Sequence, residues 1–182
     1  MAEPKTPQKI LPFVGLICID DFPVDQAMAE FANETGRVYM KSAMIPFIHT
    51  EYYNKEMGDR LFRQWAIFEN LLMPEKLVQL KIKANEIEKK YLNDKGGRKI
   101  NIDPGIISLS NLILASTKNY THRIYLGQGI YGEVTLIYKD NKFHPLAWTY
   151  PDYQEKIALE FFIKAREVLK KRLTNNFRNL NV

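Results

Sequence analysis

The sequence predicts an α+β protein: a largely antiparallel sheet in the ferredoxin-like βαββαβ order, extended by a C-terminal β-hairpin portion and closed by a long terminal helix. Three observations predict it. The almost wholly apolar run 10–19 reads as a central strand covered on both faces. Two helical stripes alternate with short β-branched and aromatic runs through Ile102. From His122 to Tyr153 the chain reads as two consecutive hairpins leading into a helix.

The elements follow in order. Asp20-Asp21 closes the first strand, either capping the next helix or offering ligands to a cation, the cap being the simpler reading. Pro23 suits the first turn of a helix, with Val24, Ala27, Met28 and Phe31 at helical spacing and Gly36 as the stop. Residues 38–48 read as a second strand. The polar, turn-prone segment 49–59 separates it from a third, 61–69, whose Phe62, Ala66 and Phe68 share one face. Pro74 opens the clearest helix: Leu77, Leu80, Ala84, Ile87 and Tyr91 recur at three- and four-residue steps, and Asn93-Asp94-Lys95-Gly96-Gly97 ends it. Residues 98–102 form a short strand running into Asp103-Pro104-Gly105, a sequence suited to a type II turn because Gly accepts positive φ there. Residues 109–114 fit a short helix and a strand equally. Asp152 with Glu155 three residues later is a capping-box-like start for the terminal helix, whose inner side carries Phe161, Ala165, Val168 and Leu169.

Length and composition bound the function. At 182 residues the chain fits one domain, 1–182, and 46% hydrophobic with 26% charged residues excludes disorder of the whole. A formal charge of +5 permits anionic partners without demanding them. The densest basic run, Lys170-Lys171-Arg172, reads as a solvated helix face near a C-terminus before it reads as a nucleic-acid surface. The one cysteine, Cys18, has no internal disulfide partner and reads as a small core residue. The polar N-terminus MAEPKTPQK lacks a signal-peptide apolar region, and the run 10–19 is far shorter than the ~20 residues of a membrane span. A cytoplasmic protein without a membrane partner is expected.

The first hairpin carries the chemistry. Pairing Leu126 with Ile130 around Gly127-Gln128-Gly129 sets Tyr125 opposite Tyr131 and Arg123 opposite Glu133. Ile124, His122 and Val134 then join Leu126 and Ile130 on the other face, and a slip by one residue would mix the two faces. An Arg–Glu pair between tyrosines has a structural reading, since cross-strand pairs stabilise a sheet by roughly 0.2–1 kcal/mol each. It also has a functional one, a polar platform on which Arg123 is a forked donor for an anion. His122, on the mostly apolar face, reads first as a core histidine and then as the best general acid/base candidate. His49 and His144 are weaker, and the spacing of the three histidines suggests no metal site. Segment 50–58 is long for a hairpin loop and dense in polar and aromatic groups, which suits binding. The candidate proton-moving residues are therefore His122, Glu56 and Glu133. The candidate ligand-binding residues are Tyr52, Tyr53, Asp103, Lys118, Arg123, Tyr125 and Tyr131.

Five motifs in order, Thr50-Glu51-Tyr52-Tyr53…Glu56-Met57-Gly58, Asn101-Ile102-Asp103-Pro104-Gly105, Ala115-Ser116-Thr117-Lys118, His122-Arg123-Ile124-Tyr125-Leu126 and Trp148-Thr149-Tyr150-Pro151-Asp152-Tyr153, resemble an uncharacterised bacterial domain-of-unknown-function family. Its members are sometimes labelled GTP-binding proteins. The resemblance spans essentially the whole chain and implies a single small domain with no established activity. A phosphate-cradling G-x-x-x-x-G-K-[ST] string is absent: Gly96-Gly97-Arg98-Lys99 has neither its spacing nor its hydroxyl residue. Asn54-Lys55-Glu56-Met57 begins like a guanine-reading N-K-x-D string but carries Met in place of the carboxylate.

Three functions follow as expectations. The first is a binder of a phosphorylated or otherwise anionic small molecule held near residues 122–133, with His122 or Glu56 moving a proton in any turnover. The second is an RNA-binding module stacking bases on Tyr125 and Tyr131. The third is a homodimer joined through sheet edges or the terminal helix. The sequence names no cofactor and does not decide whether the protein is an enzyme.

Overall fold

The computed structural model describes residues 3–179. Its centre is β1 (Leu11–Ile19), which pairs antiparallel with β4 (Leu61–Phe68) on one side and β5 (Ile100–Ile107) on the other. The strand is apolar along its length because both of its faces are covered. Val14, Leu16 and Cys18 pack with α1 (Val24–Ala29) and α4 (Lys76–Lys90), while Leu11 and Phe13 pack with α6 (Lys156–Asn179). Burial, with Asp20 adding to it, pushes the Cys18 thiol up to about 11, so it is an inert core residue.

The remaining strands are β2 (Val38–Lys41), β3 (Ile45–Pro46), β6 (Asn111–Ser116), β7 (Ile124–Gly127), β8 (Ile130–Lys139) and β9 (Lys142–Pro145). They complete a nine-stranded open antiparallel sheet in the order β2-β4-β1-β5-β6-β8-β7, with β3 also on β4 and β9 also on β8. Residues 109–114, ambiguous in sequence, thus fall largely in a strand.

Several expectations are corrected. The helix expected from Pro23 to Gly36 is two short helices, α1 and α2 (Ala32–Thr35); Phe31 between them turns into the core against Phe68, and Gly36 at φ +72 ends the pair. Residues 38–48 are not one strand: β2 and β3 are separate edge pieces on β4. Between them Ser42 continues the ladder, its N–H donating to the Trp65 carbonyl at 2.9 Å and its Oγ accepting from the Trp65 N–H at 3.0 Å. Segment 49–59 contains one helical turn, α3 (Asn54–Met57).

Asp103-Pro104-Gly105 is no turn; it lies inside β5. Gly105 is needed because a side chain there would run into the Phe13 ring and the Ile113 carbonyl. Pairing with β6 begins only at Gly105, so the outer edge of β5 before it has no neighbouring strand. Side chains of α4 stand in for one: the Ile102 N–H donates to Glu88 Oε1 at 2.6 Å, and Lys81 Nζ donates to the Ile102 carbonyl at 2.9 Å. Pro104, two residues on, points its nitrogen to that same unladdered side, where a missing N–H costs no sheet bond.

In the first hairpin Tyr125 does face Tyr131, but Ile130 pairs with Gly127 and Leu126 is bulged. The loop is therefore Gln128-Gly129, at φ +53 and +76, the double positive φ of a type I′ turn. Ile124 and Leu126 are exposed, so the face expected to be apolar core is open along β7.

Candidate functional site

The sheet face under α6 changes character part-way along. Phe13, Trp65 and Ile67 pack beneath the helix. Beyond them Gly15, Arg63, Asn101 and Asp103 share that face through the β1–β4 and β1–β5 registers. They are covered by α5 (Pro151–Gln154) and by the segment around α3, which is anchored by Phe47, Met57 and Leu61 on Ile17.

Arg63 is 2% exposed. Its Nη2 lies 2.7 Å from Asp152 Oδ2, its Nη1 lies 3.9 Å from Asp103 Oδ2, and its Cζ stands 4.9 Å from the Tyr153 ring centre. Burial alone would lower its pKa, but Asp152, Tyr153, Asp103 and Tyr53 outweigh that and raise it, so the guanidinium stays charged. Gly15 makes room for this stack: a Cβ there would fall 2.5 Å from the Tyr153 hydroxyl and 3.3 Å from the guanidinium. Arg63 Nε and Nη1 and the Tyr153 hydroxyl have no hydrogen-bond partner. Asp152 is consequently no helix cap; the N-cap of α5 is Tyr150, without a side-chain cap bond. The reason is energetic, since an N-cap is worth about 1 kcal/mol whereas a buried cation left without its counterion costs about 3–5 kcal/mol.

Arg98 clamps α3 to the start of β5. Its Nε and Nη2 bond Glu56 at 2.7 and 2.9 Å, its N–H adds a bond at 3.1 Å, and its Nη1 reaches Glu88 at 3.1 Å. Hydrogen bonding to Arg98 holds the Glu56 carboxyl below its ordinary range, while burial raises Glu88. A second tie, His49 Nε2 to Glu155 Oε1 at 2.7 Å, joins the segment to the base of α6.

The hairpin cluster adjoins these groups. Glu133, buried, accepts from Arg123 Nε at 2.6 Å and lies 3.1 Å from His122 Nε2. Arg123 is occupied all round: Nη1 donates to Ser116 Oγ and the Lys118 carbonyl, and Nη2 to the Tyr150 hydroxyl, each at 2.9 Å. His122 stacks with both Tyr120 and Trp148, at 6.1 and 5.1 Å between ring centres. It was expected on the opposite, apolar face; β7 begins only at Ile124, so His122 lies in the turn ahead of the strand, where alternation does not apply. Lys118 Nζ donates to the Tyr52 hydroxyl at 2.9 Å and sits 4.5 Å over that ring, lowering the Tyr52 pKa. Tyr150 is raised by burial and then by Glu133 and Asp103, and Tyr53 by burial and Asp103, which places Asp103 within the electrostatic reach of both.

Of the sequence-predicted residues, Tyr52, Tyr53, Glu56, Asp103, Lys118, His122, Arg123 and Glu133 therefore fall into linked clusters on one side of the sheet. Tyr125 and Tyr131 pair with each other at 5.3 Å, nearer the hairpin tip. Sequence reasoning missed Arg63, Tyr120, Trp148 and Tyr150. A charge alternating with Trp65 and Ile67 was the available signal for Arg63.

Two cavities of about 440 and 520 Å³ lie elsewhere, beside β2 and beside Glu69 and Arg172. Arg37 pairs with Glu69 and Lys41 with Asp25 at the surface beside them. Among the described residues no group of three His, Cys, Asp or Glu side chains could hold a metal ion, and no helix is long and apolar enough to cross a membrane.

Fold and site define an α+β protein with an open antiparallel sheet and a polar, aromatic-rimmed face. The profile of the family described as Domain of unknown function (DUF4416) matches residues 8–169, and the chain belongs to that family. Searches of curated proteins and of solved structures returned no match.

Proposed function

We propose that the protein binds a phosphorylated or otherwise anionic small molecule on the face bounded by Tyr52, Lys118, His122 and Tyr150. The observation that carries this reading is Lys118: an exposed ammonium held in place by a tyrosine from a different segment, its carbonyl bonded by Arg123, which shares the buried Glu133 with His122. Lys118 takes the negative charge. His122 supplies the proton-transfer group in any turnover, with Glu133 fixing its orientation. Arg123 and Glu56 are positioning residues, since both are filled by protein partners. The strand order β2-β4-β1-β5, with α1 and α4 packed on one face, supports a ferredoxin-like reading of the chain through β5. A cytoplasmic setting fits a chain whose one thiol is buried and unpaired. Calorimetric titration with inorganic phosphate, nucleotides including GTP, sugar phosphates and a short RNA tests the reading; binding lost in Lys118→Ala supports it, and no binding of any anion ends it.

A second reading rests on β7, the outer strand of the sheet, which exposes 72% of Ile124 and 43% of Leu126. Exposed apolar edge strands favour pairing with another chain. Light scattering on the protein and on Ile124→Lys decides it: a dimer that the substitution dissolves supports self-association, and a monomer in both removes it.

A further inference from the structure

Resting on the anion-binding reading of this face, and extending its ligand from one small molecule to a strand, we infer that it takes single-stranded nucleic acid. Bases stack on its exposed rings and a backbone phosphate meets Lys118.

The rings come from separate stretches of chain and are connected by direct contacts. Lys118 Nζ sits on Tyr52, and the Lys118 carbonyl accepts from Arg123. Arg123 Nη2 donates to the Tyr150 hydroxyl, and its Cζ lies 4.9 Å from the Tyr120 ring centre. Tyr120 and Trp148 both stack with His122. Tyr125 joins the same face through its cross-strand partner Tyr131, which pairs in turn with Ser116, another acceptor of Arg123.

These rings are open to solvent: Tyr52 by 62%, Tyr125 by 59%, Tyr120 by 55%, Tyr150 by 45% and Trp148 by 40%. A group of large aromatic side chains left in water marks an interaction surface. Protein already engages their polar edges. The hydroxyls of Tyr52 and Tyr150 accept from Lys118 and Arg123, and Trp148 Nε1 donates to the Val134 carbonyl at 2.8 Å. The ring orientations are thereby fixed, and π surface is what a ligand meets. Stacking on such surface holds any base, because every base has a π-face.

Rings spread from the Tyr52 loop to the hairpin suit successive bases of a strand, and bases free to stack on protein are unpaired. Lys118 supplies the charge. Its ammonium contacts a hydroxyl and a ring, which do not neutralise it, whereas Glu133 matches the charge of Arg123. A net charge of +5 attracts a polyanion to the chain.

Titration of the full chain with octauridylate, octathymidylate, uridine monophosphate, ribose 5-phosphate and inorganic phosphate tests the inference, by calorimetry and by tryptophan emission. Uridine monophosphate should bind at least about fivefold tighter than ribose 5-phosphate, the lower end for one stacked base. An octamer should bind at least about tenfold tighter than the mononucleotide. Trp65 is fully buried, so the octamer should quench the emission of Trp148. Tyr120→Ala should weaken the octamer by about fivefold and leave inorganic phosphate unchanged, while Tyr120→Phe, which keeps the ring, should bind as the wild type does. Octamers no tighter than the mononucleotide, or bound without quenching, overturn the inference while the anion-binding reading stands. So does a mononucleotide no tighter than ribose 5-phosphate. No binding of any anion overturns that reading as well. Should Tyr120→Ala not fold, the ranking on the unaltered chain decides alone.

Discussion

Arg63 and Asp152 form a buried ion pair, Nη2 to Oδ2 at 2.7 Å, that joins β4, the strand directly beside β1, to α5. Asp152→Asn separates the two roles open to this residue. Asn caps a helix about as well as Asp, so a capping role would leave stability within a few tenths of a kcal/mol. Loss of the counterion of a buried guanidinium should instead cost about 3–5 kcal/mol. Urea unfolding with an unchanged slope and a lowered midpoint is the expected result; an unchanged midpoint would exclude the ion pair as a stabilising element.

Gly15 and Tyr153 should be coupled. Gly15→Ala drives a methyl against the Tyr153 hydroxyl, and overpacking of this kind costs about 1–3 kcal/mol. That hydroxyl has no partner, so Tyr153→Phe alone should be nearly neutral. In the double variant most of the Gly15→Ala loss should return. Additive losses in a double-mutant cycle would show that the methyl is resisted by something else.

The sequence made local features legible and hid those that depend on distant partners. The strand around β1 and the helix α4 were readable because an apolar run and a three- and four-residue spacing act within one element. The Tyr125–Tyr131 register was readable because alternation acts across one hairpin. Asp103-Pro104-Gly105 misled because its turn chemistry is overridden by Phe13, lying on Gly105, and by Glu88 and Lys81, which finish the edge of β5 from α4. Asp152 misled for the same reason, since its partner Arg63 comes from a strand far back in the chain. In the site, the Arg123–Glu133 pair followed from register, whereas Tyr150 and Trp148 arrive on a segment that no periodicity links to the hairpin.

Cys18 should resist modification in the folded protein. With its thiol pushed up to about 11, the thiolate fraction near neutrality is very small, and the side chain is buried as well. Reaction with a thiol reagent at pH 8 should be slow and should reach full rate only in denaturant. Full reaction within seconds in native buffer would contradict the core placement.

The Arg98–Glu56 clamp predicts an acid-side loss of stability. Its hydrogen bonds lower the Glu56 pKa in the folded state relative to the unfolded one, so the folded protein binds fewer protons there. The contribution is full above the ordinary glutamate value of about 4.3 and is lost as pH falls through the depressed folded value. Melting temperatures of the wild type and Glu56→Gln should therefore differ most at pH 6 and converge towards pH 3. A constant difference across the range would mean that the clamp does not depend on ionised Glu56.

Arg123 and Lys118 should behave oppositely, and the contrast identifies which of them meets a ligand. Arg123 has a buried side chain and bonds Glu133, Ser116, the Lys118 carbonyl and Tyr150. Arg123→Ala leaves Glu133 buried without its cation, at a cost of about 3–5 kcal/mol, and Arg123→Lys cannot restore a forked set of bonds. Lys118 is exposed, and Lys118→Ala should change stability by less than about 0.5 kcal/mol. A loss of anion binding in Arg123→Ala is therefore ambiguous by itself, because the face it supports collapses with it. Loss of binding in Lys118→Ala at an unchanged unfolding midpoint is the diagnostic result. Unchanged binding there would move the anion site away from Tyr52 and Lys118.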